Sequence, residues 1–158
     1  MRRRAFVLAA AVLAAGCGFE LRRTPALPFR RIAVVGFEPL SPLGADLRRA
    51  LGDVQMVEHP ARADVVFEAL EDERKRVVVA STAGGQVREL QLRTRLVFRL
   101  STPKGRSLIP PTELLLTRDM SYTETSALAK EQEEAELLRA RHGDIVAQVM
   151  RRLAAVDL

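Results

Sequence analysis

The stretch RELQLRTRLVFRL, Arg88 to Leu100, alternates apolar and polar residues along almost its whole length. Leu90, Leu92, Leu96, Phe98 and Leu100 fall on one side with Thr94 among them, and Glu89, Gln91, Arg93, Arg95 and Arg99 fall on the other. A period of two is that of an extended chain, whose successive side chains point to opposite faces. One apolar face and one charged face predict a half-buried strand of an antiparallel sheet with one wet side. Such a sheet needs a second layer to cover its apolar face, so the rest of the chain must supply one.

Working outward, ADVVFEAL puts Val65, Phe67 and Ala69 on one face, EDERKR follows as the most polar run, and VVVAS resumes the β pattern. The adjacent glycines of AGGQ suit a tight hairpin between this second strand and the third, Arg88–Leu100. TPKGR supplies another turn before LIPPTELLLTRDMSY, where Pro110 and Pro111 cannot donate to a ladder. That fourth strand is expected at an edge, or to begin after the prolines. Nearer the N-terminus, RIAVVGFE gives a first strand at Ile32–Phe37. SPLGADLRRALGD then reads as a short helix, with Ser41 as N-cap, Pro42 in the first turn, Leu43, Leu47 and Leu51 on one stripe, and Gly52 as terminator. VQMVEHP is a short strand or loop lead-in. A long helix closes the chain from about Ser126 to Val156, with Leu138, His142, Ile145, Val149, Leu153 and Val156 on its apolar stripe. Glutamates crowd its first half, Glu133 and Glu134 reading as a solvated face, and Arg151 and Arg152 its end, as the helix dipole favours. Gly143 in its interior has no explanation beyond close packing or a slight kink. The order strand, helix, three strands, helix predicts an α+β fold. We expect a two-layer sandwich, β-α-β-β-β-α, with a four-stranded, mainly antiparallel sheet covered on one face by two helices.

The N-terminus carries a different signal. Arg2, Arg3 and Arg4 precede an uncharged run from Ala5 to Ala15, then Gly16 and Cys17. A basic start, a short apolar run and small residues make a secretory signal over residues 1–16. The run is too short to span a bilayer, which takes about 20 residues. LAAGC resembles the lipobox of bacterial lipoproteins, so Cys17 is expected to become the acylated first residue of the mature chain, carrying a covalent N-acyl diglyceride. Gly18 follows it rather than the Asp of an inner-membrane retention signal, which by that resemblance directs the chain to the outer membrane, on the periplasmic side. Residues 17–30 then form the lipidated start and a tether, and residues 31–158 a single domain. Cys17 is the sole cysteine, so no disulfide within the chain is possible. As a nucleophile it would need a base, and neither His59 nor His142 carries a local signature of one.

Charge narrows the functional classes. Three of the 25 basic residues and none of the 20 acidic ones lie in residues 1–16, which leaves 22 against 20, a balance of +2, in the remainder. That balance, with 4% aromatic residues, argues against nucleic acid as a partner. Phosphate-binding glycine loops, H-E-x-x-H, G-x-S-x-G and Cys/His metal spacings are all missing from the sequence, so neither catalysis, a metal nor any other cofactor is expected.

The mature start CGFELR, the alternating RELQLRTRLVFRL, and SYTETSALAKEQEEAELL running into VAQVMRRL together resemble the LptE family of lipopolysaccharide-assembly lipoproteins. The chain departs from the family at ELQLR, where an aromatic is often found. The resemblance implies a four-stranded sheet covered by two helices. It also implies a protein that plugs and helps assemble the outer-membrane β-barrel LptD and binds lipopolysaccharide on its way to the cell surface. A free-standing periplasmic lipoprotein that binds a small ligand or cell-wall component is the alternative. A lipopolysaccharide binder needs Arg or Lys for phosphate beside apolar surface for acyl chains, and the planar guanidinium suits phosphate well. The candidates are Arg74, Lys75 and Arg76 on the second strand, Arg88 after the hairpin, Arg93, Arg95 and Arg99 on the third strand, and Arg118 on the fourth. Against this stands the plainer reading, that wet sheet faces and edges carry charge to stay soluble.

Overall fold

The computed structural model describes residues 26–122 and 127–158. The expected signal, Cys17, most of the tether and the start of the long helix at Ser126 lie outside them. The elements are β1 (Arg31–Val35), α1 (Pro42–Ala50), β2 (Gln55–Met56), a 3-10 turn (Pro60–Arg62), β3 (Val65–Ser81), β4 (Val87–Ser101), β5 (Ser107–Ser121) and α2 (Ala127–Ala154). They form an α+β fold in which both helices pack on one sheet, sharing one hydrophobic core.

The sheet has five strands, in the order β2-β1-β3-β4-β5, rather than the expected four. The additional one is the two-residue β2, held by Gln55 N–H donating to Arg30 O and Val57 N–H to Ile32 O. β1 is parallel to both its neighbours, whereas β3, β4 and β5 are an antiparallel meander. A helix between two strands makes a crossover, and a crossover brings the second strand in parallel to the first. β5 is an edge strand, and its ladder with β4 skips across Pro110 and Pro111, which lack the N–H a ladder needs.

Local chemistry fixes the ends. Gly44 N–H donates to Ser41 Oγ at 3.0 Å, which caps α1 with Pro42 at its first position. Arg31 and the backbone N–H groups of Arg30 and Arg31 all bond the Asp64 carboxylate, pinning the start of β1 to the start of β3. Those bonds, led by the Arg31 side chain, hold the Asp64 carboxyl below its ordinary value. Gly36, at φ +88, lets the chain turn off the sheet so close to Ala69 that an added Cβ would stand 2.1 Å from the Ala69 carbonyl oxygen.

The core lies between the sheet and the helices. Ile32, Val65, Phe67, Leu96, Phe98 and Leu100 of the sheet meet Leu43 and Leu47 of α1 and Ile145, Val149 and Leu153 of α2. Phe67 stacks on Phe98 with centroids 5.1 Å apart, and Phe37 on Phe67 at 6.0 Å. Leu27 and Phe29, the last apolar residues of the expected tether, pack into the same core.

Candidate functional site

The placement of the charged residues follows from a single extra residue. In β3, Ala69 pairs with Phe98 and Glu71 with Val97, so Leu70 is a bulge without a partner. Before it, odd-numbered residues Val65, Phe67 and Ala69 face the helices. After it, Asp72, Arg74, Arg76 and Val78 lie opposite Leu96, Thr94, Leu92 and Leu90, and so share their helix-side face. Glu71, Glu73, Lys75 and Val77 turn to the open face, with Gln91, Arg93, Arg95 and Val97 opposite them.

Most of the open face is neutralised, Arg93 excepted. Arg95 pairs with Glu71 on β3 and with Glu113 on β5, and Arg99 pairs with Glu68 at 2.6 Å. Lys75 pairs with Glu73. Arg93 donates to Gln91 Oε1, whose amide in turn donates to Asp119.

The helix-side face beyond the bulge is different. Between α2 and this part of the sheet a cleft of about 440 Å³ opens, lined by acidic Asp72, Glu73 and Glu134 as well as Arg74, Arg76 and Leu92. Glu134 is almost wholly buried and takes the Arg76 guanidinium at 2.7 Å. Arg141 is buried as well, donating from Nη1 to Leu92 O at 2.8 Å, while its Nη2 has no partner. Burial pulls its pKa below the usual arginine range, Arg118 adds to this and Asp119 opposes it. His142 is buried with Nδ1 3.4 Å from Asp46 of α1. Burial also lowers the pKa of His142, and Asp46, Arg74 and Asp72 act on it from α1 and β3. Ser41 Oγ, besides capping α1, donates to Asp72. The layer that is hydrocarbon near β1 is therefore a seam of polar groups near α2's first half.

A match to the family model described as LptE, lipopolysaccharide-assembly, runs over residues 29–153. The chain belongs to the LptE family. An LPS-assembly lipoprotein LptE from Pectobacterium atrosepticum is 30% identical over 166 residues, covering 100% of this chain and 84% of that protein. Among solved structures, an uncharacterized lipoprotein B from Nitrosomonas europaea superposes with a TM-score of 0.72 at 27% identity, over 87% of this chain and 91% of that one. A minor lipoprotein from Acinetobacter baumannii shares the fold, with a TM-score of 0.65 at 21% identity over 82% and 94% of the two chains.

Within this LptE-family fold the eight predicted basic residues separate into two groups. Arg74, Arg76, Arg88 and Arg118 have the helix-side register, and Lys75, Arg93, Arg95 and Arg99 the open one. The consecutive Arg74, Lys75 and Arg76 are not one cluster, since a strand sends neighbours to opposite faces. Sequence reasoning missed Arg141 and Glu134. Arg141 stands three residues after Leu138 and four before Ile145, on the apolar stripe, which is a usable signal. Glu134, expected in solvent, is instead buried because Arg76 reaches it. No group of His, Cys, Asp and Glu among the described residues has a metal-binding arrangement, and no described helix is long and apolar enough to cross a membrane.

Proposed function

We propose that this LptE-family chain is a non-catalytic lipoprotein, acylated at Cys17 and anchored in the outer membrane facing the periplasm. It plugs and helps assemble the LptD β-barrel, and it binds lipopolysaccharide in transit to the cell surface. The family match over residues 29–153 carries this reading. The geometry favours the helix-side face for lipopolysaccharide. There Arg74, Arg88 and Arg118 enter no ion pair with any described carboxylate, and they share their face with the half-buried Leu116 and the exposed Val78. Phosphate wants unneutralised guanidinium, and acyl chains want the neighbouring hydrocarbon. On the open face, Arg95 and Arg99 already spend their charge on glutamates.

The test is a pulldown of the tagged, acylated chain from detergent-solubilised outer membrane, followed by lipopolysaccharide binding to the purified protein. An LptD-sized barrel in stoichiometric amount, surviving high salt, is expected. So is a loss of lipopolysaccharide binding in Arg74→Glu/Arg118→Glu, with binding kept in Arg95→Gln/Arg99→Gln. A chain that elutes alone from well-solubilised membrane overturns the barrel assignment. Binding equal in the two double variants overturns the assignment of the face.

A further inference from the structure

Helix α2 is held to the rest of the fold in two different ways along its length. From Ile145 to Leu153 its buried residues are Ile145, Val146, Val149, Met150 and Leu153, all apolar and all in the core. Between Glu134 and His142 the buried residues are Glu134, Arg141 and His142, and no apolar side chain of that stretch is fully buried. One polar contact holds each of the three: Arg76 of β3 to Glu134 at 2.7 Å, the Leu92 carbonyl of β4 to Arg141 at 2.8 Å, and Asp46 of α1 to His142 at 3.4 Å. The contacts are incomplete, since Arg141 Nη2 and His142 Nε2 are buried with no hydrogen-bond partner among the described residues, as is Thr94 Oγ1 on β4. Such atoms penalise the closed arrangement and regain water when it opens. The Arg76 side chain is already 65% exposed, so parting from Glu134 loses little. A stretch with so little buried hydrocarbon opens locally far more easily than a packed core.

Gly143 stands at the junction, one residue after His142 and two before Ile145. It is exposed, and nothing lies within 4 Å of the place its Cβ would take. Glycine weakens a helix where it stands. A bend that lifts the preceding turns off the sheet shortens the solvent face of α2, and that is the face on which Gly143 lacks a side chain.

Lifting would uncover hydrocarbon. Leu90, Leu92 and Met120 have the helix-side register and are only 9%, 1% and 4% exposed. Leu90 lies opposite Met120 and Leu92 opposite Arg118, while Arg74 lies opposite Thr94, the next helix-side position on β4. The closed face therefore offers guanidinium groups with little accessible hydrocarbon beside them, and a lipid bearing both phosphate and acyl chains needs both.

We propose that residues 134–142 of α2 form a lid, hinged at Gly143, over a site floored by Leu90, Leu92 and Met120 that takes an acyl chain of a phosphate-bearing lipid. This rests on the lipopolysaccharide reading and deepens it. Arg74 and Arg118 hold the phosphate, and the lid governs entry of the chain. A ligand that needs the open state binds more weakly by the fraction of molecules that are open.

The acylated full chain in phospholipid nanodiscs provides the test. Backbone amides of residues 134–142 are expected to exchange hydrogen about a hundredfold faster than those of residues 145–153. Arg76→Cys/Glu134→Cys, joined by a short bismaleimide, ties the lid shut, and the acylated Cys17 does not compete for the reagent. Joining is expected to weaken lipopolysaccharide binding about tenfold relative to the same variant unjoined, and to leave deacylated, still phosphorylated lipopolysaccharide bound as before. Gly143→Ala is expected to weaken only the acylated form, by about threefold. Circular dichroism confirms that each variant is folded. Equal exchange along the whole helix overturns the lid. A joined chain that binds lipopolysaccharide as well as the unjoined one, while Arg74→Glu/Arg118→Glu does not bind it, overturns the lid and leaves the lipopolysaccharide reading standing. A joined chain that loses both forms alike overturns the acyl-chain site. An unjoined chain that binds neither form overturns both readings.

Discussion

The two halves of this sandwich, on either side of Leu70, are built from the same strands and the same long helix, yet their interiors are unlike. On the β1 side the helix stripe of Ile145, Val149 and Leu153 rests on Phe67, Phe98 and Leu100, and every one of these is buried hydrocarbon. On the other side, Glu134 and Arg141 of the same helix meet Arg76 and the Leu92 carbonyl, His142 meets Asp46 of α1, and Thr94 Oγ1 is buried with no hydrogen-bond partner. Hydrophobic burial contributes roughly 25 cal/mol per Å², whereas a buried polar seam gains little net and penalises every unsatisfied atom. Stability therefore resides in the first half, and the charges available for recognition in the second.

The largest expected effect breaks the first half. Phe98→Ala removes a fully buried ring stacked on Phe67 and should lower unfolding free energy by about 3–5 kcal/mol, measured by chemical denaturation. A loss no larger than that of a surface substitution would show that the hydrocarbon half does not hold the fold. Next comes Gly36→Ala, where the positive φ alone should cost about 1–3 kcal/mol and the Ala69 carbonyl must also move.

The third effect sharpens the second half. Burial disfavours the charged form of His142, so its pKa in the fold lies below that of the unfolded chain, about 6.5. The unfolded state then binds more protons as the medium acidifies, so stability is complete above that value and declines as pH falls through it toward the folded pKa. His142→Leu should flatten this decline, read as denaturation midpoints across the window. Asp64 does not confuse the measurement. Its pKa is lowered from 3.8, so its contribution is lost only below that value.

The two smallest effects concern positions outside the core. Nothing lies within 4 Å of where a Cβ on Gly143 would stand, so neither close packing nor crowding explains this glycine. Gly143→Ala should stabilise by about 0.5–1 kcal/mol through helix propensity alone, and a loss instead would reveal a conformational need for glycine there. Arg95→Gln, on the wet face, should change stability by no more than about 1 kcal/mol despite its two glutamate partners.

Much of this was legible in residue order. The alternation from Leu90 to Leu100 is reproduced residue by residue, Thr94 included. Ser41 and Pro42 start α1 where their chemistry demands, and Gly85 turns the β3–β4 hairpin at φ +80. These are local preferences, each set by a residue and its immediate neighbours. β2 was faint in the sequence because two residues carry no period, and it exists only because β1 offers a bare edge beside it. The parallel pairing of β1 likewise depends on where the chain returns after α1.

The candidate site divides along the same line. The sequence by itself determined that basic residues stand on strands beside apolar ones, because composition and a period of two are written residue by residue. Which of them share a face was decided by the Leu70 bulge, which is defined only by the strand across from it. The partners of Arg76, Arg95 and Arg141 were settled by helix-on-sheet and strand-on-strand packing, since contacts between groups far apart in the chain exist only once the layers close.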